Sequence, residues 1–326
     1  MNLHPSPTAV RLHTSGAARS LEMLGDAWVL RLLRTSFRGA KRFSDFMQAL
    51  DISRAVLTER LGRLVRAGIL VKLSAPGSHP EYRLTEQGLD LWRVLLAMWQ
   101  WEKHWGSGVI DQGQPSDRPR SNLVHVDCGH TIDPVCACAN CRQALVPFDT
   151  YASMRINDEV PMKAPDPERA MPDAQAPRKR FRQSHSDTRE SLPTLMRVFG
   201  DRWNVAIMAA ALTGQTTFSE FEAATGIWPG PLSARLEELQ ALNMLKPRGY
   251  AGSRHEYRMT RRSLATYPIT LELLQWGDRW LWQDKGPLIV MHQLCGHPVQ
   301  TAWLCPDCGG TLKRDSLRYE AAQNKR

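Results

Sequence analysis

The strongest constraint on the fold is that the chain repeats itself. "LGDAWVLRLL" from Leu24 returns 175 residues later as "FGDRWNVAIM" from Phe199. At the same offset "RFSDF" at Arg42 faces "TFSEF" at Thr217, and "ISRAVLTERLGRLVRAGIL" at Ile52 faces "IWPGPLSARLEELQALNML" at Ile227. "PGSHPEYRLT" at Pro76 faces "AGSRHEYRMT" at Ala251, and Trp101 and Trp105 face Trp276 and Trp280. The offset then drops by eight residues to 167, where "HVDCGH" at His125 faces "HQLCGH" at His292 and "CANC" at Cys138 faces "CPDC" at Cys305. A two-part unit has been duplicated, so its fold must be built twice.

Within copy one, Phe43, Phe46, Met47 and Leu50 recur at helical spacing. "DIS" breaks that helix, and Ser53 can cap a second one with Leu57, Leu61 and Leu64 on one face. This is a helix-turn-helix pattern. "ILVKL" and "EYRL" flank the turn residues "SAPGSHP", which predicts a β-hairpin, or wing. Thr85 then caps a long helix carrying Leu89, Trp92, Leu95, Leu96 and Trp99. The fold class expected is mainly α with small β wings (α+β).

These stretches, together with the Trp101–Trp105 pair and their echoes in copy two, resemble the HxlR-type winged helix-turn-helix regulators. The resemblance covers residues 20–106 and 195–282. It implies a bacterial, DNA-binding transcription regulator whose relatives usually act as homodimers, some with a Cys/His tail after the last helix. The expected organisation is a flexible tail (1–12), winged domain 1 (13–108), a zinc-knuckle module (121–145) and a Pro- and charge-rich linker (146–186). Winged domain 2 (187–284), a second knuckle module (288–314) and a flexible tail (315–326) follow. The cysteine that some members carry near the domain start is missing from both copies. Thiol sensing from that position is therefore not expected.

A recognition helix presents its first turns to the major groove. In copy one these are Ser53, Arg54, Ala55, Thr58 and Glu59, with Arg54 suited to bidentate pairing with guanine. Arg63, Arg66, Lys41 and Arg42 are candidates for phosphate, and the wing tip Ser78 and His79 for the minor groove. Copy two has Thr217 in place of Arg42, and "WPGP" from Trp228 in place of "SRAV". Its DNA candidates reduce to Thr217, Trp228, Ser233 and Arg235. Either it reads a different half-site or it has turned to dimerisation, effector sensing or docking a partner protein.

All seven cysteines lie in the two clusters. Four soft ligands per cluster suit tetrahedral, structural zinc. Taken copy by copy, the sites are His125, Cys128, Cys138 and Cys141, and His292, Cys295, Cys305 and Cys308. His130 and His297 rival the first histidine of each set, whereas Cys136 has no echo and is not expected to bind.

A net charge of +9 favours a polyanionic partner, double-stranded DNA. No apolar run is long enough to span a membrane and no secretory leader is evident, so a cytoplasmic site is expected. Six of the eleven tryptophans, Trp99, Trp101, Trp105, Trp276, Trp280 and Trp282, lie where each winged unit ends. They can line a pocket for an aromatic effector, but packing of copy on copy explains them better. Further homodimerisation of the tandem chain stays open. No phosphate loop, nucleophile elbow or carboxylate pair points to an enzyme.

Overall fold

The computed structural model describes residues 15–74, 76–106, 121–155, 193–249 and 255–321. The expected tail 1–12, the linker stretch 156–186 and the terminus 322–326 lie outside the described residues.

Copy one begins with α1 (Gly16–Leu24) and α2 (Ala27–Phe37), continues through α3 (Phe43–Ala49) and α4 (Arg54–Arg66), and then forms the wing β1 (Leu70–Leu73) and β2 (Glu81–Leu84). The wing is antiparallel, with Leu70 opposite Leu84 and Leu73 opposite Glu81. Leu57, Leu61 and Leu64 of α4 are buried, as their spacing predicts. Ser53 accepts from Val56 N and starts that helix.

The long helix expected after Thr85 is two helices, α5 (Glu86–Leu89) and α6 (Trp92–Trp105). Thr85 caps only the first of these. Gly88 lies so close to β1 that a Cβ would sit 2.2 Å from the Ile69 carbonyl. At the break, Asp90 holds Arg93 of its own copy at 2.6 Å and Arg279 of copy two at 2.7 Å.

Copy two repeats the plan as α7 (Pro193–Phe199), α8 (Arg202–Leu212), α9 (Phe218–Thr225), α10 (Pro229–Ala241), β7 (Leu245–Gly249), β8 (His255–Met259), α11 (Arg261–Leu264) and α12 (Tyr267–Leu281). Pro229 is tolerated in α10 because a first-turn N–H has no helical acceptor.

Between and after these units lie β3 (Ser121–His125), β4 (Thr131–Ile132), β5 (Val135–Cys138), β6 (Thr150–Met154), β9 (Leu288–His292), β10 (Thr301–Leu304) and β11 (Leu317–Ala321). All but β4, which pairs with β3, join across the copies. Strand β3 of copy one binds β11 of copy two, β6 binds β9, and β5 binds β10. Two boundaries therefore move. Residues 150–154, expected as linker, and 317–321, expected as flexible tail, are sheet strands whose partners lie in the other copy.

The winged units also pack on each other by reciprocal contacts. Trp101 Nε1 donates to the Arg262 carbonyl at 3.0 Å, and its echo Trp276 donates to the Gln87 carbonyl at 3.0 Å. Gln87 and Arg262 are themselves echoes. Such paired contacts are the signature of an isologous interface. One contact breaks the symmetry: α1 crosses α12 backbone to backbone, and a Cβ on Gly277 would sit 2.1 Å from the Gly16 carbonyl. The echo of Gly277 is Glu102, whose buried carboxylate pairs with Arg34 at 3.5 Å.

Candidate nucleic-acid interface and metal centres

The Gly-Asp-x-Trp signature lies at the joint between two helices. Asp26 Oδ1 accepts from Trp28 N and Val29 N at 2.9 and 3.2 Å, capping α2. Its other oxygen, Oδ2, holds Arg60 of α4 at 2.9 Å. Copy two repeats this: Asp201 caps α8 and binds Arg235 of α10 at 3.1 Å. The motif thus ties the orientation of each recognition helix to the helix beneath it. Trp28 is half-buried against the core, with the Arg31 guanidinium 4.7 Å from its ring centre.

This geometry sorts the DNA candidates. Ser53, Arg54, Ala55, Thr58 and Glu59 are all exposed on the first turns of α4, and Arg66 is exposed at its end. Lys41 and Arg42 are exposed at the start of α3, with Arg42 4.0 Å from Glu81. Ser78 and His79 are exposed on the wing. Two arginines are engaged inside the protein. Arg63 donates to the Glu22 carbonyl of α1, and Arg235 is held by Asp201.

In copy two, Thr217 caps α9 by accepting from Glu220 N at 3.3 Å. Ser233 is exposed and lies 3.5 Å from Glu237. Trp228 is 80 % exposed at the N-cap of α10. Helix α4 carries four arginines and one glutamate, while α10 carries one arginine and two glutamates.

The Cys/His residues form two tight groups, and the grouping expected copy by copy is corrected. One group is His125, Cys128, Cys305 and Cys308; the other is Cys138, Cys141, His292 and Cys295. In each, the ligand atoms lie within 4.8 Å of one another. Both copies use the same spacing, so sequence alone could not tell the crossed grouping from the uncrossed one.

Cys128 Sγ is 3.8 Å from Cys305 Sγ, and Cys138 Sγ is 3.9 Å from Cys295 Sγ. A tetrahedral centre with metal–sulfur bonds of about 2.3 Å has S···S edges of about 3.8 Å. The Nδ1···Sγ separations of 3.2–3.4 Å complete each set. These sulfurs are far beyond the roughly 2.05 Å of a disulfide.

His130 and His297 lie outside both groups. The ring of His297 bonds the Cys295 carbonyl at 2.7 Å instead. Buried Cys136 stands opposite Trp303 in the β5–β10 register.

Each knuckle is a tight turn closed by a backbone bond, such as Gly129 N to the His125 carbonyl and Gly296 N to the His292 carbonyl, both 2.8 Å. The residue after the second ligand turns left-handed, with φ of 74° at Gly129 and 70° at Gly296, where glycine avoids strain. Backbone donation favours thiolate at Cys295 and Cys308, whereas burial and the neighbouring thiols raise Cys128 and Cys141. The His297 N–H, aided by His292 and Asn140, brings Cys295 down to about 6, and the Gly310 N–H lowers Cys308.

Four of the six terminal tryptophans bond within the chain. Besides the Trp101 and Trp276 contacts, Trp99 Nε1 donates to Ser121 at 3.2 Å and Trp280 Nε1 to Asp90 at 2.9 Å.

The HxlR-like helix-turn-helix family matches this chain over residues 23–109 and again over 198–285, together more than half its length. The chain belongs to that family. An uncharacterized HTH-type transcriptional regulator of Mycobacterium tuberculosis is 33% identical over 137 residues, covering 41% of this chain and 82% of that one. The HTH-type transcriptional regulator YvaP of Bacillus subtilis, also uncharacterized, is 30% identical over 90 residues, covering 27% and 83%. Among solved structures, PA1607, described as a candidate transcription factor, is 29% identical. It covers 47% of this chain and 100% of its own, with a TM-score of 0.36. No helix among the described residues is long and apolar enough to cross a membrane.

Proposed function

We propose that this HxlR-like transcription regulator binds double-stranded promoter DNA as an intrachain pseudo-dimer of unequal halves, copy one being the principal reader. The observation that carries this is the pair of first turns of α4. Its Ser53, Arg54, Ala55, Thr58 and Glu59 are exposed together, and no ion pair within the described residues engages Arg54. Arg66, Lys41 and Arg42 supply nearby charge for phosphates. Zinc is the metal that suits both Cys/His groups. Four ligands close each shell, which fits a structural role rather than catalysis. A regulator of this kind works in the cytoplasm, beside its operator.

A second reading applies to copy two. Trp228 opens an α10 of net negative charge, which favours an apolar contact with another protein over one with phosphate.

Gel shifts on promoter DNA at several salt concentrations test the proposal. The native protein should form a specific complex with a steep salt slope. Arg54→Ala should weaken it roughly 10- to 100-fold. Arg235→Ala should lower the stability of copy two and leave specific affinity nearly unchanged. Equal loss from both variants would defeat the ranking of the copies. Trp228→Ala with unaltered DNA binding would favour the docking role for copy two.

A further inference from the structure

The crossed grouping of the metal ligands has a mechanical meaning. Every His-x-x-Cys turn ends a strand of one copy, and every Cys-x-x-Cys turn that faces it ends a strand of the other. We propose that the protein binds two zinc ions at the boundary between its copies, each ion cross-linking copy one to copy two. This rests on the zinc reading and adds which halves each ion joins.

Three observations support the bridge. The separations are those of a tetrahedral centre: 3.8 Å between Cys128 and Cys305, and 3.4 Å between Cys308 Sγ and His125 Nδ1, all across the boundary. The second centre mirrors the first, with 3.9 Å from Cys138 to Cys295 and 3.4 Å from Cys141 Sγ to His292 Nδ1. The strands also deliver the ligands in crossed fashion. His125 stands opposite Leu317 in the β3–β11 register, and Thr150 stands opposite His292 in β6–β9.

The strands alone make a weak joint. They form small sheets of two or three short strands each, which is marginal without a further anchor. Ions at these centres tie the segments that follow α6 to those that follow α12. They thereby reinforce the direct packing that holds the two winged units, and the helices α4 and α10 they carry, together.

Metal stoichiometry of paired cysteine variants tests the bridge directly. Wild-type protein should carry two zinc ions per chain by elemental analysis. Cys128→Ser with Cys305→Ser removes two ligands from one crossed site, so one ion should remain. Cys128→Ser with Cys138→Ser damages both crossed sites, so neither ion should stay through gel filtration. Ligation within each copy requires the reverse: no ion after the first pair of substitutions and one after the second. That reverse pattern overturns the bridge while sparing the zinc reading. Metal-free, folded wild-type protein defeats the zinc reading itself.

A second measurement needs no cysteine variant and so survives misfolding of either. Protein cut by a protease at a site introduced between residues 156 and 192 should elute as one particle carrying both ions. Chelation should lower the urea concentration at which its halves part. Halves that part at the same urea concentration with and without zinc would show that the ions do not join them.

Discussion

Asp26 and Asp201 show how much one residue can organise. Each caps a helix with one carboxylate oxygen and steadies a recognition-helix arginine with the other. The signature was legible in the sequence as a repeat, but its purpose was not, because Arg60 lies 34 residues downstream of Asp26. The useful signal was that Arg60 and Arg235 both survive where most neighbouring charges changed. Glu272 was not legible at all. It is buried on α12 and accepts from Trp303 Nε1 at 2.8 Å, and burial raises its carboxyl to about 7. The folded protein therefore keeps a proton there that the unfolded chain releases near its ordinary value of 4.5. Stability from this group is fully present below about pH 4.5 and is lost as pH rises towards 7. Glu272→Gln keeps the indole acceptor and removes the titration. Relative to wild type it should gain about 3 kcal/mol between pH 5 and 8, measured as urea midpoints at the two values. A difference that stays constant with pH would contradict the assignment.

At the scale of elements, the periodic pattern yielded the helix-turn-helix and the wing, since leucine spacing and turn residues act locally. It failed where backbone meets backbone. The α1–α12 crossing depends on Gly16 and Gly277, which are remote in sequence. Gly277→Ala should destabilise the protein by a few kcal/mol, because its Cβ would strike the Gly16 carbonyl. At Gly62 in α4, an added Cβ would meet only the end of the Arg66 side chain, at 3.4 Å. Gly62→Ala should stabilise by about 0.5–1 kcal/mol through helix propensity. Thermal melts of the two variants decide between these opposite signs. Similar shifts would mean that the crossing is looser than described.

At the scale of the whole molecule, duplication was legible and exchange was not. Both arrangements of the knuckles satisfy one spacing, and only the strand pairing separates them. The copies are also no longer interchangeable. Glu102 occupies the position equivalent to Gly277, where a second copy of half one would have to admit Gly16. Residues 1–155 and 190–326, produced as separate chains carrying different tags, should therefore pair with each other in preference to themselves. Co-purification after mixing measures this, and equal amounts of like and unlike pairs would refute it. The crossed strands also set a timetable for synthesis. Cys128 emerges from the ribosome 177 residues ahead of Cys305. At about 5–20 residues per second, its knuckle waits on the order of 10–35 s for the strand that completes it. During that interval the nascent chain presents reduced thiols and unpaired strand edges, so its vulnerability to oxidation and misassembly is greatest before the second half exists.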